Sequence, residues 1–206
     1  MTDLSTITPP FMSSRILVFS DFNCPYCYTL NEWISELSAT SRIRWVGIEH
    51  RPDLPTSGQN RPADSQLLDA EVRDVTSRDP TVELNKPEVW VNSQRALLVQ
   101  NAIEDDAPDL APALRRQLFQ SYWREGSSLS DEEAIEQTLL ELELELPDLE
   151  PDYLEELTGW WRSHLDRIPV MIAPTRIAHL GLQDKTSVRR FLNSALRESK
   201  AGPGCP

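Results

Sequence analysis

The 206-residue chain predicts an α/β fold in the order βαβ, an acidic all-helical insertion, then ββα, and three observations carry that prediction. A short β-rich run switches to helical spacing at Cys24, and a second β-rich run follows at 43–48. After 61–160, which is acidic and patterned for helices, the chain returns to two short strands and a closing helix. With 39% hydrophobic and 26% charged residues the composition is globular. A chain of this length buries roughly 70% of its unfolded surface, so its three cysteines are not needed merely to hold it together.

The first strand is placed at 15–22, Arg-Ile-Leu-Val-Phe-Ser-Asp-Phe, a run whose length suits a buried strand better than a helix. Beyond Cys24-Pro25 the apolar positions Tyr26, Leu30, Trp33, Ile34 and Leu37 recur at helical spacing. Proline is favoured at the first helical position because its missing N–H has no intrahelical partner there. The run at 43–48 is the second strand, stopped by Pro52 and Pro55, and completes a βαβ unit with parallel strands and a right-handed crossover.

Residues 56–88 are polar and proline-containing, with a weak helical stretch at 63–75, and are expected to form a long, partly helical connection. Helices follow from Asn92 or Ser93 to 103 and over 110–125. The Ser130-Asp-Glu-Glu133 capping box opens another reaching 142, with the alternating 141–146 as its end, and a last one spans 152–165. Residues 168–172, a turn at 173–175 and 176–182 read as a hairpin. The closing helix at 187–197 carries Val188, Phe191, Leu192, Ala195 and Leu196 on one face.

Charge is uneven along the chain. Residues 1–60 carry 4 basic and 6 acidic side chains, 61–160 carry 8 and 24, and 161–206 carry 8 and 3, for a net charge of −13. The domain reading follows: 1–60 and 161–206 form the core domain, and 61–160 an acidic helical insertion. A field of that sign repels phosphate backbones, so nucleic acid is not an expected partner. No apolar run approaches the ~20 residues of a membrane-spanning helix, and the first residues lack the basic start and apolar stretch of a secretory signal. A cytoplasmic location is expected, where cysteines are normally reduced.

Cys24-Pro25-Tyr26-Cys27 sits at the strand-to-helix junction. There Cys24 meets the unpaired N–H groups and positive dipole end of the helix, an arrangement expected to stabilise its thiolate. Cys27, three positions on, shares its face and can close a disulfide, giving an attacking and a resolving sulfur. Two other readings stand beside dithiol redox chemistry. A zinc half-site would draw further ligands from Cys205, His50, His164 and His179, none of which has metal-ligand spacing, and two cysteines can also be plain core residues. Asp21 beside the motif either forms a turn or influences Cys24. Trp90, Trp123, Trp160 and Trp161 either pack or line a cleft between insertion and core. Cys205, in a Gly/Pro tail, is exposed without a positioned partner.

Ser20-Asp-Phe-Asn-Cys-Pro-Tyr-Cys-Tyr28, Asn92-Ser-Gln-Arg-Ala96, Tyr122-Trp-Arg-Glu-Gly126 with Leu129-Ser-Asp-Glu132, and Ile168-Pro169 together resemble the DsbA-like thioredoxin-fold oxidoreductase superfamily. Within it the chain looks most like the FrnE-type branch related to 2-hydroxychromene-2-carboxylate isomerases, and the resemblance runs from Ile16 to Leu196. It implies a thioredoxin-like core split by a helical insertion, with Cys24 as nucleophile, Cys27 as resolver and Pro169 as a cis-proline facing them. The Ile168 backbone and Tyr26 would contact substrate. Arg167 departs from the group, which usually has a small residue two positions before the cis-proline, and Val18 stands where thioredoxins carry a buried carboxylate.

The expected activity is thiol–disulfide exchange with protein or small-molecule substrates, without cofactor or metal beyond the redox-active Cys24–Cys27 pair. The reduction potential is expected near −200 mV, between thioredoxin (~−270 mV) and DsbA (~−120 mV). Two alternatives accompany it. One is a glutathione-dependent isomerase or transferase, a sister activity that generally has Ser at the position of Cys24, with glutathione as co-substrate. The other is a non-enzymatic redox-sensing adaptor. The assembly is expected to be a monomer or a homodimer.

Overall fold

The computed structural model describes residues 2–3, 13–58 and 62–200. Its sheet comprises β1 (Thr2–Asp3), β2 (Ile16–Ser20), β3 (Ile43–Gly47), β4 (Val170–Ile172) and β5 (Ile177–Leu180), in spatial order β1-β5-β4-β2-β3. Every residue of β2 is buried, as its uninterrupted apolar run requires of a central strand. It pairs in parallel with β3, Val18 opposite Trp45, and antiparallel with β4, Phe19 opposite Val170. The hairpin is present with Met171 opposite His179. β1 pairs antiparallel with β5, Thr2 opposite Ala178, and sequence reading did not anticipate it because two residues carry no periodicity.

The helices are α1 (Pro25–Glu36), α2 (Pro62–Arg78), α3 (Gln94–Asp106), α4 (Ala111–Gln120), α5 (Glu132–Glu141), α6 (Pro151–His164) and α7 (Lys185–Lys200). The weak stretch at 63–75 is thus a full helix. Its polar outer face hid the inner one, where Leu68 and Val75 are buried. The single helix expected over 110–125 ends its α-helical part at Gln120, continues as a π-helical turn (Ser121–Glu125), and stops on Gly126 in the left-handed region, φ 78°.

The Ser130 capping box is corrected. Asp131 is the cap, its side chain accepting from the Glu133 and Ala134 N–H groups, while the Ser130 hydroxyl donates to the Thr56 carbonyl. At α3, Ser93 is the N-cap without a side-chain capping bond, and Asn92 Oδ1 before it accepts from Gln94 N–H at 2.7 Å. Of the closing helix, Val188, Phe191, Leu192 and Ala195 are buried, and the side chain of Leu196 lies outside those described.

Helices from 61–160 bury their apolar faces in the same cluster as the sheet: Leu97, Leu114, Phe119 and Leu157 join Phe19, Trp33 and Trp45. Gly47 locks one contact. Its N–H donates to Asn101 Oδ1 at 2.8 Å and its carbonyl accepts from Asn101 Nδ2 at 3.0 Å. A Cβ there would meet Asn101 Oδ1 and Leu97 Cδ2 at 2.9 Å, so α3 reaches the outer edge of β3 only over a glycine.

Candidate active site at the start of helix α1

Residues 21–24 connect β2 to α1, and each carbonyl before Cys24 has a donor. Asp21 O accepts from Cys24 N–H (3.3 Å), Phe22 O from the Trp123 indole (2.9 Å) and Asn23 O from the Trp90 indole (3.1 Å). Asn23 Nδ2 returns a bond to Val91 O. The loop is therefore held from the helical insertion, by two tryptophans that sequence reading left between packing and a cleft. A cavity of about 380 Å³ lies beside Val91, lined also by Val89, Tyr122 and Arg124, and none of the four tryptophans lines it. Trp160 instead stacks on Phe19, with centroids 5.2 Å apart.

Asp21 has a buried side chain. Oδ1 accepts from Asn23 N–H (3.4 Å) and from the Ser93 hydroxyl, and Oδ2 from His50 N–H (2.9 Å), with His50 Nδ1 at 3.4 Å. It forms the expected turn and also joins the loop to β3's exit and to the start of α3. Ser93 and His50 were considered only as a helix cap and a stray metal ligand. Their partner lies 72 and 29 positions away, so no local signal marks them.

Cys24 occupies the N-cap of α1 in extended conformation, with Pro25 after it and no side-chain capping bond. Its carbonyl accepts from Cys27 and Tyr28 N–H, both at 3.1 Å, which carries the helix back over the motif. Both cysteines are free thiols in hydrogen-bond contact, 4% and 0% exposed.

That burial corrects the low thiol pKa expected from helix position. Desolvation pushes the Cys24 thiol well up, the Cys27 side chain and the Glu71 charge push the same way, and only the Cys27 backbone N–H opposes them. The helix terminus is present, and removal from water outweighs it.

Part of the covering comes from α2. Tyr26, half-buried, hydrogen-bonds through its hydroxyl to Asp74, and burial followed by that bond pushes its pKa up. Glu71, one turn before Asp74, is half-buried, and desolvation pushes its carboxyl up against the pull of His50 and Arg51. Neither acid was singled out from sequence, where 63–75 reads only as a weak helical stretch.

The Ile168–Pro169 peptide is cis, as expected, and both residues are buried. Because Val170 pairs with Phe19, Pro169 stands at the end of β2 that feeds the Cys24 loop. Pro169 O accepts from Gly181 N–H (2.8 Å), and Arg167 O from the Trp161 indole (3.0 Å). The Arg167 side chain is exposed and paired with Asp166. Among the described residues no group of three or more His, Cys, Asp and Glu side chains is arranged to hold a metal, and Cys205 lies outside them. No helix among them is long and apolar enough to cross a membrane.

Solved structures share this architecture. A "probable DsbA oxidoreductase" from Streptomyces coelicolor superposes with TM-score 0.71 at 13% identity, over 93% of each chain. The cytosolic disulfide reductase DsbM from Pseudomonas aeruginosa, solved with GSH, gives 0.62 at 14% identity, over 89% of this chain and 99% of its own. A periplasmic thioredoxin-like protein from Salmonella enterica gives 0.51 at 14%, over 93% and 88%. No curated protein matches the sequence. The sequence itself carries the assignment: residues 15–156, which take in the dithiol, its loop and nearly all of the helical insertion, match the DSBA-like thioredoxin domain, and the chain belongs to that family.

Proposed function

We propose that this chain is a thiol–disulfide oxidoreductase working through Cys24 and Cys27 on protein or small-molecule disulfides. The carrying observation is the pair itself: two thiols in contact at the N-cap and first turn of α1, on a loop whose every carbonyl is held. In this reading Cys24 loses its proton to solvent and its thiolate attacks one sulfur of the substrate, forming the Cys24–substrate bond and releasing the other sulfur as a thiolate that takes up a proton. Cys27, deprotonated in turn, attacks Cys24, closes the Cys24–Cys27 disulfide and releases the second substrate thiol. Two electrons pass from the dithiol to the substrate, and the reverse sequence oxidises a substrate dithiol.

Ile168, Pro169 and Tyr26 form the substrate-facing rim, 61–160 acts as the insertion that holds and covers the dithiol, and the protein works in the cytoplasm without a bound cofactor. The pushed-up Cys24 thiol favours reduction over oxidation. Glutathione as co-substrate is supported by the DsbM relative, a cytosolic reductase solved with GSH. Two cysteines in contact speak for redox chemistry over isomerisation, and catalytic turnover separates an enzyme from an adaptor that is oxidised once.

The test is a pair of variants assayed on a disulfide substrate. Cys24→Ser is expected to abolish exchange, and Cys27→Ser to accumulate long-lived mixed disulfides on Cys24, seen by mass spectrometry. Adducts on Cys27 in the Cys24→Ser protein at the same rate would reverse the roles, and stoichiometric oxidation without turnover would leave the adaptor.

A further inference from the structure

Glu71 is the acid around the dithiol that the fold leaves least compensated. Asp21 is wholly buried and accepts from Ser93, Asn23 and His50, and Asp74 binds Tyr26 and pairs with Arg78 at 3.0 Å. Glu71 stands three positions from Leu68 and four from Val75, so it shares the face that α2 buries. Its charge reaches both Cys24 and Tyr26. Among the described residues it accepts no hydrogen bond and has no cation within ion-pair distance, while His50 and Arg51 act on it only from further away. Each has business elsewhere: His50 donates to Asp21, and Arg51 pairs with Asp53 and lies 4.4 Å over the Trp90 ring.

We infer that Glu71 is a specificity-determining residue that selects disulfide substrates carrying a positive charge next to the reacting sulfur. This rests on the oxidoreductase reading and names its substrate class.

Two effects of one contact make the selection. A substrate cation seated at Glu71 supplies the counter-charge that the fold withholds, and a half-buried carboxylate gains more from such a pair than an exposed one. The same cation offsets the Glu71 charge, which adds to burial and to Cys27 in raising the Cys24 thiol, so the thiol yields its proton to solvent more readily as the substrate docks. An anionic neighbour is repelled by Glu71 and strengthens that field. The net charge of −13, of which 61–160 contributes −16, steers cationic partners to the molecule over longer range.

Two methanethiosulfonate reagents of similar size, one ending in trimethylammonium and one in sulfonate, probe this without requiring turnover. In the Cys27→Ser protein at low ionic strength, mass spectrometry is expected to show Cys24 modified about three- to tenfold faster by the cationic reagent, a ratio falling toward one at high salt. Glu71→Gln is expected to cut the preference to within about twofold of one, the share left by long-range steering, and Glu71→Lys to lower it further. Turnover of two disulfide peptides, with Lys or Glu beside the cysteine, should follow the same order in the wild-type protein. A reagent ratio of one at low salt in the Cys27→Ser protein with Glu71 intact overturns the inference even if no Glu71 variant folds, as does a preference that Glu71→Gln leaves undiminished. If neither peptide is turned over while the reagent preference holds and follows Glu71, the oxidoreductase reading falls and the charge selection at Cys24 stands.

Discussion

Replacing Arg115 with Met is expected to cost about 3 kcal/mol of stability near pH 7, the lower end of the ~3–5 kcal/mol typical when one partner of a buried ion pair is removed. The Arg115 side chain is 1% exposed. Its Nη1 donates to Glu104 Oε1 at 2.9 Å, its Nε to Asn31 Oδ1 at 3.0 Å, and its guanidinium lies 4.5 Å from the Trp45 ring. Methionine keeps much of the stem volume but leaves the Glu104 carboxylate, 2% exposed, with Arg15 at 3.8 Å and the Gln100 Nε2 donor at 3.3 Å, and those surviving partners set the lower figure. At ~2–4 °C per kcal/mol for a chain of this size, the midpoint should fall roughly 6–12 °C.

The pH dependence has a definite sign. Burial pushes the Glu104 carboxyl above its ordinary value while Arg115 pulls it down, so removing Arg115 raises it further. A carboxyl raised in the folded state contributes stability that is full below its unfolded pKa of ~4.3 and is lost as pH rises through the folded value. The deficit of Arg115→Met should therefore widen from about pH 4 to 7 and narrow on acidification. Adding Glu104→Met should recover most of it, because no unpaired charge remains. Calorimetry of both variants at the two pH values decides. A single-variant loss below about 1 kcal/mol, a deficit independent of pH, or a double variant as unstable as the single would refute the reasoning.

Other outcomes follow from the same structure. A low-pKa attacking thiol stabilises the reduced state and makes an oxidant, whereas burial pushes Cys24 up, so the potential should lie between about −270 and −200 mV. Equilibration in glutathione buffers measures it, and a value above about −180 mV contradicts it. Asp131→Ala should lower stability by ~1 kcal/mol through the lost α5 cap. Ser130→Ala should stay within ~0.5 kcal/mol in the same thermal melts, and a larger loss there would restore the capping-box reading. His179 is buried and its pKa is pushed down by desolvation. The stability this contributes is present above the unfolded value of ~6.5 and lost as pH falls. From about pH 7.5 to 5.5 the urea midpoint of the wild type should fall relative to that of His179→Leu, and a parallel pair of curves would remove His179 from the pH response.

The dithiol and its place at the start of α1 were legible because both are local. Pro25 after Cys24 and apolar residues three and four apart state a helix start without reference to the rest of the chain. The buried runs of β2 and β3 and the hairpin of β4 and β5 were legible for the same reason, since strand period and turn residues act within a few positions. The capping box shows the limit of such reading: Ser130 and Asp131 are both good caps, and only the approach of Thr56 to the Ser130 hydroxyl leaves Asp131 to cap the helix.

What the tertiary structure alone decided is the environment of those local features. Helix position argues for a stabilised Cys24 thiolate, yet the field at a sulfur also depends on how much water remains, and α2 and the loop partners arrive from distant parts of the chain, His50 being 29 positions from Asp21 and Glu71 47 from Cys24. The partners of Asp21 behave likewise, Ser93 being 72 positions distant. Hydrophobic period tells which face of a segment turns inward but not what covers it, and desolvation, ion pairing and loop anchoring are all properties of the cover.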